Sequence, residues 1–255
     1  MTPRAIAQRV RVLGRHFLDH QFERDSPLPA LSPPLLEAVY SHEIVLPPRK
    51  YLEQAGGQTL EGLVFLAGLV RAIEATSAFE IGTFTGVTTW TLAGNMGSGV
   101  VRTLDLPPES QPALALEDSD REIRGLFSGQ VYDERPHPAE IEQHWGDSAS
   151  FDFSPWKDRC DLVYIDGAHS EPYVERDTRS AIEMLSPRGA IVWDDYWRHV
   201  EGVPKVLNRM TSMQLRRIPG TRLVVYLAPA AESRLRESTT RQRAADEPGI
   251  DSGDQ

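Results

Sequence analysis

Two rhythms of apolar and polar residues run through the middle of the chain. Short apolar-rich runs at 78–81, 100–104, 161–165 and 190–193, and a more polar one at 140–144, have the length of strands. Between and ahead of them, apolar positions recur at helical spacing over 59–75, 87–94 and 173–185. Such alternation predicts an α/β fold, a doubly wound and mostly parallel sheet, because each helix carries the chain back across the sheet to start a strand in the same direction. The rhythm closes differently. Residues 214–218 and 221–227 flank Pro219 and Gly220, which predicts a hairpin and hence an antiparallel last strand.

Both ends of the chain depart from this pattern. Pro27, Pro29, Pro33, Pro34, Pro47 and Pro48 crowd residues 25–50 and predict an irregular connector. Ahead of it, Ile6, Val10, Leu13 and Phe17 recur at helical spacing among Arg4, Arg9, Arg11 and Arg15. An amphipathic helix that packs on the body or on a second subunit, giving a homo-oligomer, explains this better than a targeting segment, since serine enrichment and a signal-type apolar core are both missing. From Pro229 onward, Leu235 and Ile250 are the large aliphatic residues in a charged stretch, so a disordered tail with at most a short helix is expected. The expected division is a helix and connector over 1–50, one domain over 51–228 and the tail over 229–255.

Composition narrows the class. The 255 residues carry 27 Lys and Arg against 37 Asp and Glu, a formal net charge of −10, which disfavours nucleic acid as a partner. The hydrophobic fraction of 40% suffices for a substantial core. The longest apolar stretch, residues 63–70, falls far short of a membrane span, so no membrane partner is expected. Cys160 is the single cysteine, which excludes an intrachain disulfide and suits a reducing cytoplasm. In front of a strand it is expected as a small buried apolar residue rather than a nucleophile.

An open α/β sheet binds its ligands where the strands end, so the residues after each strand carry the chemistry. The first strand runs into Glu80, Ile81, Gly82, Thr83, Phe84, Thr85 and Gly86, and a helix follows. The glycines let the backbone approach a ligand, and the helix start offers unpaired N–H groups. Their spacing is not the G-x-G-x-x-G of nicotinamide-binding folds. Asp105 ends the second strand, where an acid can accept hydrogen bonds from ribose hydroxyls, and Gly146, Asp147 and Ser148 close the third, where a polar side chain can reach a base edge. Together with IDGAH at 165–169 and WDDY at 193–196, these residues resemble the class I S-adenosylmethionine-dependent methyltransferases. The resemblance covers most of 59–227. It implies a seven-stranded Rossmann-like sheet with an antiparallel last strand and S-adenosylmethionine as cofactor. Glu80, Gly82 and Gly86 would face its methionine end and Thr88 its carboxylate, with Asp105 on the ribose, Asp147 and Ser148 near the adenine, and Asp166 at the edge of the crevice.

Asp166 follows one strand and the pair Asp194 and Asp195 follows the next. Neighbouring strand ends would bring three carboxylates together, a hard oxygen donor set that suits Mg²⁺. Here the likeness narrows to Mg²⁺-dependent O-methyltransferases of the catechol, caffeoyl-CoA and macrocin-like types, whose metal ligands fall at Asp166, Asp194 and Asp195, and it implies a small-molecule hydroxyl acceptor. Catechol-type enzymes carry a lysine base three residues after the first ligand, where this chain has His169. A nearby dication would hold that imidazole neutral and able to accept a proton; the competing role is a hydrogen bond that supports the metal ligands. Trp193 on its strand is expected in the core, while Tyr51, Gln58 and Thr59 are weaker site candidates. A dinucleotide-dependent oxidoreductase and a catalytically silent cofactor-binding scaffold are the rival readings. The first lacks its glycine signature, and neither explains the intact acids.

Overall fold

A computed structural model describes residues 21–52, 57–123, 129–133 and 137–246. Seven strands form one sheet: β1 (Ser77–Ile81), β2 (Val100–Asp105), β3 (Glu140–Trp145), β4 (Cys160–Ile165), β5 (Leu185–Trp193), β6 (Arg216–Arg217) and β7 (Val224–Leu227). Their spatial order is β3-β2-β1-β4-β5-β7-β6. Strands β1 to β5 are parallel, and β7 runs against both of its neighbours, β5 and β6. This is the Rossmann-like sheet that the resemblance implied, with the hairpin in the expected place.

Side chains of one strand alternate between two cores. Leu162, Tyr164, Ala190 and Val192 face helices α1 (Pro33–Tyr40), α3 (Leu60–Ala72), α4 (Val87–Asn95) and α9 (Pro229–Asp246). Val163, Ile165, Ile191 and Trp193 face α7 (Glu171–Met184) and α8 (Gly202–Leu207). The period of two places successive residues on opposite faces, so a strand covered on both sides reads as one continuous apolar run. Three short helices, α2 (Arg49–Leu52), α5 (Asp118–Ile123) and α6 (Gln130–Asp133), lie in the connections. Thr59 starts α3 by accepting the Gly62 N–H at 3.1 Å. Among the described residues, no helix is long and apolar enough to cross a membrane.

Two flanking segments differ from expectation. The connector contains α1, because Pro33 and Pro34 occupy the first helical positions, where their lost N–H groups cost nothing. Leu35, Ala38 and Val39 are buried under it, and the chain before it bridges to β6 through the Leu31 N–H and the Arg217 carbonyl (2.9 Å). The tail expected to be disordered is helical through Asp246 as α9. Ala231 and Leu235, one turn apart, enter the core, and Thr239 donates to the Pro34 carbonyl at 2.9 Å. Ion pairs of Glu232 with Arg216 and Arg236 support the exposed side. Residues 1–20, with the Ile6, Val10, Leu13 and Phe17 stripe, and residues 247–255 lie outside the described part.

Candidate active site

Main-chain hydrogen bonds beyond the sheet ladder draw four strand ends together. Gly82 N–H donates to the Leu104 carbonyl (2.9 Å), Asp166 N–H to Ile81 (2.8 Å) and Asp194 N–H to Ile165 (2.9 Å). The turn after β1 therefore lies against the ends of both β2 and β4. Gly82 has φ +101°, and a Cβ there would collide with the Asp166 carbonyl, so the turn requires glycine. Gly86, at φ +80°, caps α4, whose first turn holds the buried Thr88.

A cleft opens over these ends. Its walls include Gly82, Phe84, Asp105, Gly146, Asp147, Ser148, Asp166 and Tyr173, so the glycine turn, the acid after β2, the residues after β3 and the first acid of the cluster share one space. Asp147 is more engaged than the sequence suggested. Its carboxylate accepts from the Tyr173 hydroxyl (2.9 and 3.1 Å) and from the N–H groups of Ala113 (2.6 Å) and Ala149 (2.9 Å), tying the loop after β2 to the cleft wall. Glu80 is fully buried behind the turn. Its Oε2 accepts from Thr103 (2.6 Å) and Thr89, while Oε1 has no partner.

Burial raises the Glu80 carboxyl to about 8 against the opposing bonds from Thr103 and Thr89. A folded pKa above the ordinary 4.5 means that ionisation is harder in the folded chain, so stability falls as pH rises from about 4.5 through 8. Glu80→Gln, neutral throughout, is expected to melt with wild type near pH 4 and several degrees above it at pH 8. Equal melting temperatures at both values would show that Glu80 is not held as the acid.

The acids after β4 and β5 form a second constellation beside the cleft. Ligand atoms of Asp166, His169 and Asp195 all lie within 4.8 Å of one another. Asp194 stands deeper, 3% exposed, with Oδ2 accepting from Gln58 Nε2 (2.8 Å) and lying 3.2 Å from the Tyr164 hydroxyl and 3.4 Å from Arg222 Nη2. Its Oδ1 is buried without a partner. The Tyr164 hydroxyl also reaches Asp166 Oδ2 at 3.0 Å, so its single proton is shared between two carboxylates. Asp195 adopts φ +55°, a left-handed conformation that a short acidic residue tolerates, and turns its carboxylate toward His169 and Arg222. Burial and the neighbouring acids push Asp166 well above the usual carboxylate range and Asp194 to about 6. The His169 hydrogen bond and the Arg222 charge overcome burial and hold Asp195 below it.

His169 lies between two carboxylates. Its Nδ1 and its backbone N–H both bind Asp120, the latter at 3.0 Å, and its Nε2 lies 2.8 Å from Asp195 Oδ2. Burial lowers its pKa, but the bonds to Asp120 and Asp195 outweigh burial and raise it to about 11, so the ring is an imidazolium between two carboxylates. Asp120 lies on α5, in a stretch whose sequence shows no regular pattern. Tyr164 and Arg222 also join the site without having been singled out, whereas Gln58 was a candidate. Tyr51 packs under Lys50 in a cluster with Leu63, Val87 and Trp90, Trp193 is core, and Cys160 is buried with its thiol pushed by burial to about 11.

The donor set fits a hard dication. Four carboxylates, Asp120, Asp166, Asp194 and Asp195, face two cations, Arg222 and protonated His169, and one buried carboxylate oxygen has no partner. Asp166, Asp195 and the free Oδ1 of Asp194 would hold such an ion.

Comparison with known proteins agrees on the class. Residues 79–196, from β1 through the acid pair, match a family described as a methyltransferase domain. No curated protein matches the chain. Among solved structures, the PaMTH1 methyltransferase of Podospora anserina, bound to SAH, is 12% identical, with 88% of this chain and 95% of that chain covered and a TM-score of 0.48. The O-methyltransferase TomG of Streptomyces achromogenes, in complex with SAM, is 18% identical over 83% and 96% of the two chains, with a TM-score of 0.46. An O-methyltransferase of Bacillus cereus in complex with SAH is 17% identical over 82% and 96%, also with a TM-score of 0.46. At such identities these likenesses assign no residue.

Proposed function

We propose that this domain transfers a methyl group from S-adenosylmethionine to a hydroxyl oxygen of a small molecule, with a divalent cation, Mg²⁺, held beside the cofactor. The observation that supports the reading best is the double position of Asp166, which borders the cleft and belongs to the acid cluster. A methyl donor in the cleft and an oxygen at the cluster would meet at that residue. Asp105 would accept the ribose hydroxyls, the Gly82 turn and Thr88 would face the methionine end, and Gly146 to Ser148 would flank the adenine. The cofactor supplies an electrophilic methyl group, and the cation a fixed direction and a lowered pKa for the acceptor hydroxyl.

The chain's own groups do the rest. With Asp195 engaged by the cation, His169 would face Asp120 across Nδ1 and could take the hydroxyl proton at Nε2. Buried Tyr164 and Gln58 hold Asp194 in place. A cytoplasmic location suits the single buried cysteine.

The reading is tested with methyl-labelled cofactor and a panel of catechols, phenols and glycosides. Label is expected on a hydroxyl acceptor in Mg²⁺, to vanish on chelation and to return with added Mg²⁺. Asp194→Ala, Asp195→Ala protein is expected to stay inactive after metal is restored. Full transfer by metal-stripped protein would remove the cation from the reading, and transfer to amines alone would remove the hydroxyl.

A further inference from the structure

Arg222 enters the acid cluster from an unexpected direction. It sits in the turn that leads into β7, and its carbonyl accepts the Tyr196 N–H (2.9 Å), which fixes the turn beside the acid pair. Nη1 lies 3.0 Å from Asp195 Oδ1, and Nη2 lies 3.4 Å from Asp194 Oδ2 and donates to the Gly57 carbonyl at 3.3 Å. The arginine side chain is 23% exposed, against 2% for Asp194 and 15% for Asp195, so the three charges interact largely out of water. A guanidinium keeps its charge at any working pH.

We propose that Arg222 is a resident cation for the Asp194 and Asp195 pair, one that stabilises the metal-free site and holds down its affinity for a dication. This rests on the reading that the cluster takes a divalent metal. Two effects of Arg222 oppose each other. It repels a second cation drawn to the same carboxylates, and it also orients them, which would favour binding. Orientation is over-determined: Asp194 is held as well by Gln58 and the Tyr164 hydroxyl, and Asp195 by His169. The repulsion has no such redundancy and disappears with the charge. Without the guanidinium the metal-free carboxylates also repel each other more strongly, which again favours metal uptake. The net expectation is tighter metal binding once the charge is removed.

The test uses the full chain with S-adenosylhomocysteine and no acceptor, and follows loss of the free Mn²⁺ signal by electron paramagnetic resonance. Arg222→Gln, which keeps hydrogen-bonding groups without charge, is expected to bind Mn²⁺ about tenfold more tightly than wild type, or better. Arg222→Lys, which keeps the charge, should stay close to wild type. Melting without metal should fall for Arg222→Gln and recover most of the difference with Mn²⁺. If circular dichroism shows that the glutamine variant is unfolded, Arg222→Met takes its place. Binding by the uncharged variant that is no tighter than wild type overturns the role of Arg222 and leaves the metal reading standing. Mn²⁺ binding by neither protein overturns both, and binding by the uncharged variant alone supports Arg222 as the group that excludes the ion.

Discussion

His169→Ala is expected to lower kcat by about 10²–10⁴ at saturating cofactor, Mg²⁺ and acceptor, while S-adenosylmethionine binding stays intact. A general base contributes on this scale because it takes the proton as the oxygen attacks, and no other imidazole belongs to the cluster among the described residues. The sign of the pH dependence follows from the carboxylates on either side of the ring. They hold His169 as imidazolium, raised to about 11, and a protonated ring cannot accept a proton. Activity should therefore rise with pH through the apparent pKa of His169 in the working complex. That value lies below 11 once Asp195 is shared with a cation, whose charge also opposes protonation of the ring. The alanine variant should lose this rising limb. An unchanged kcat and pH profile would show that the proton leaves by another route.

Gly82→Ala is the second large effect, and it acts on stability. The left-handed backbone and the collision of a Cβ with the Asp166 carbonyl would have to be relieved by moving the end of β4 away from β1. Strain of this kind, with a main-chain hydrogen bond at risk, is expected to cost about 3–5 kcal/mol, measured by urea denaturation. A cost under about 1 kcal/mol would mean that the turn is not locked against β4. If the variant still folds, both cofactor and metal binding should weaken, because the residue it displaces serves the cleft and the acid cluster together.

The centre of the sheet was legible because β1, β4 and β5 are largely buried and stand out as apolar runs, and the acids Asp105, Asp166, Asp194 and Asp195 were legible because parallel strands all point one way. Whatever follows such a strand faces the ligand edge. Arg222 was not, for the complementary reason. In a strand that runs backwards, the residues at that edge come before the strand, and Arg222 precedes β7. Asp120 lies in a stretch without periodicity, and only its tertiary partner His169 marks it. The flanks misled through composition. Prolines at a helix start look like interruptions, and a charged stretch with one buried leucine looks too polar to fold until α1 offers it a partner.

That last contact sets a timetable on the ribosome. Thr239 and Pro34 lie 205 positions apart, and at about 5–20 residues per second the earlier partner waits roughly 10–40 s for the later one to be made. During that interval the part of α1 that α9 covers in the finished protein remains open to other chains. Helix α1 thus becomes fully native only when α9 has emerged.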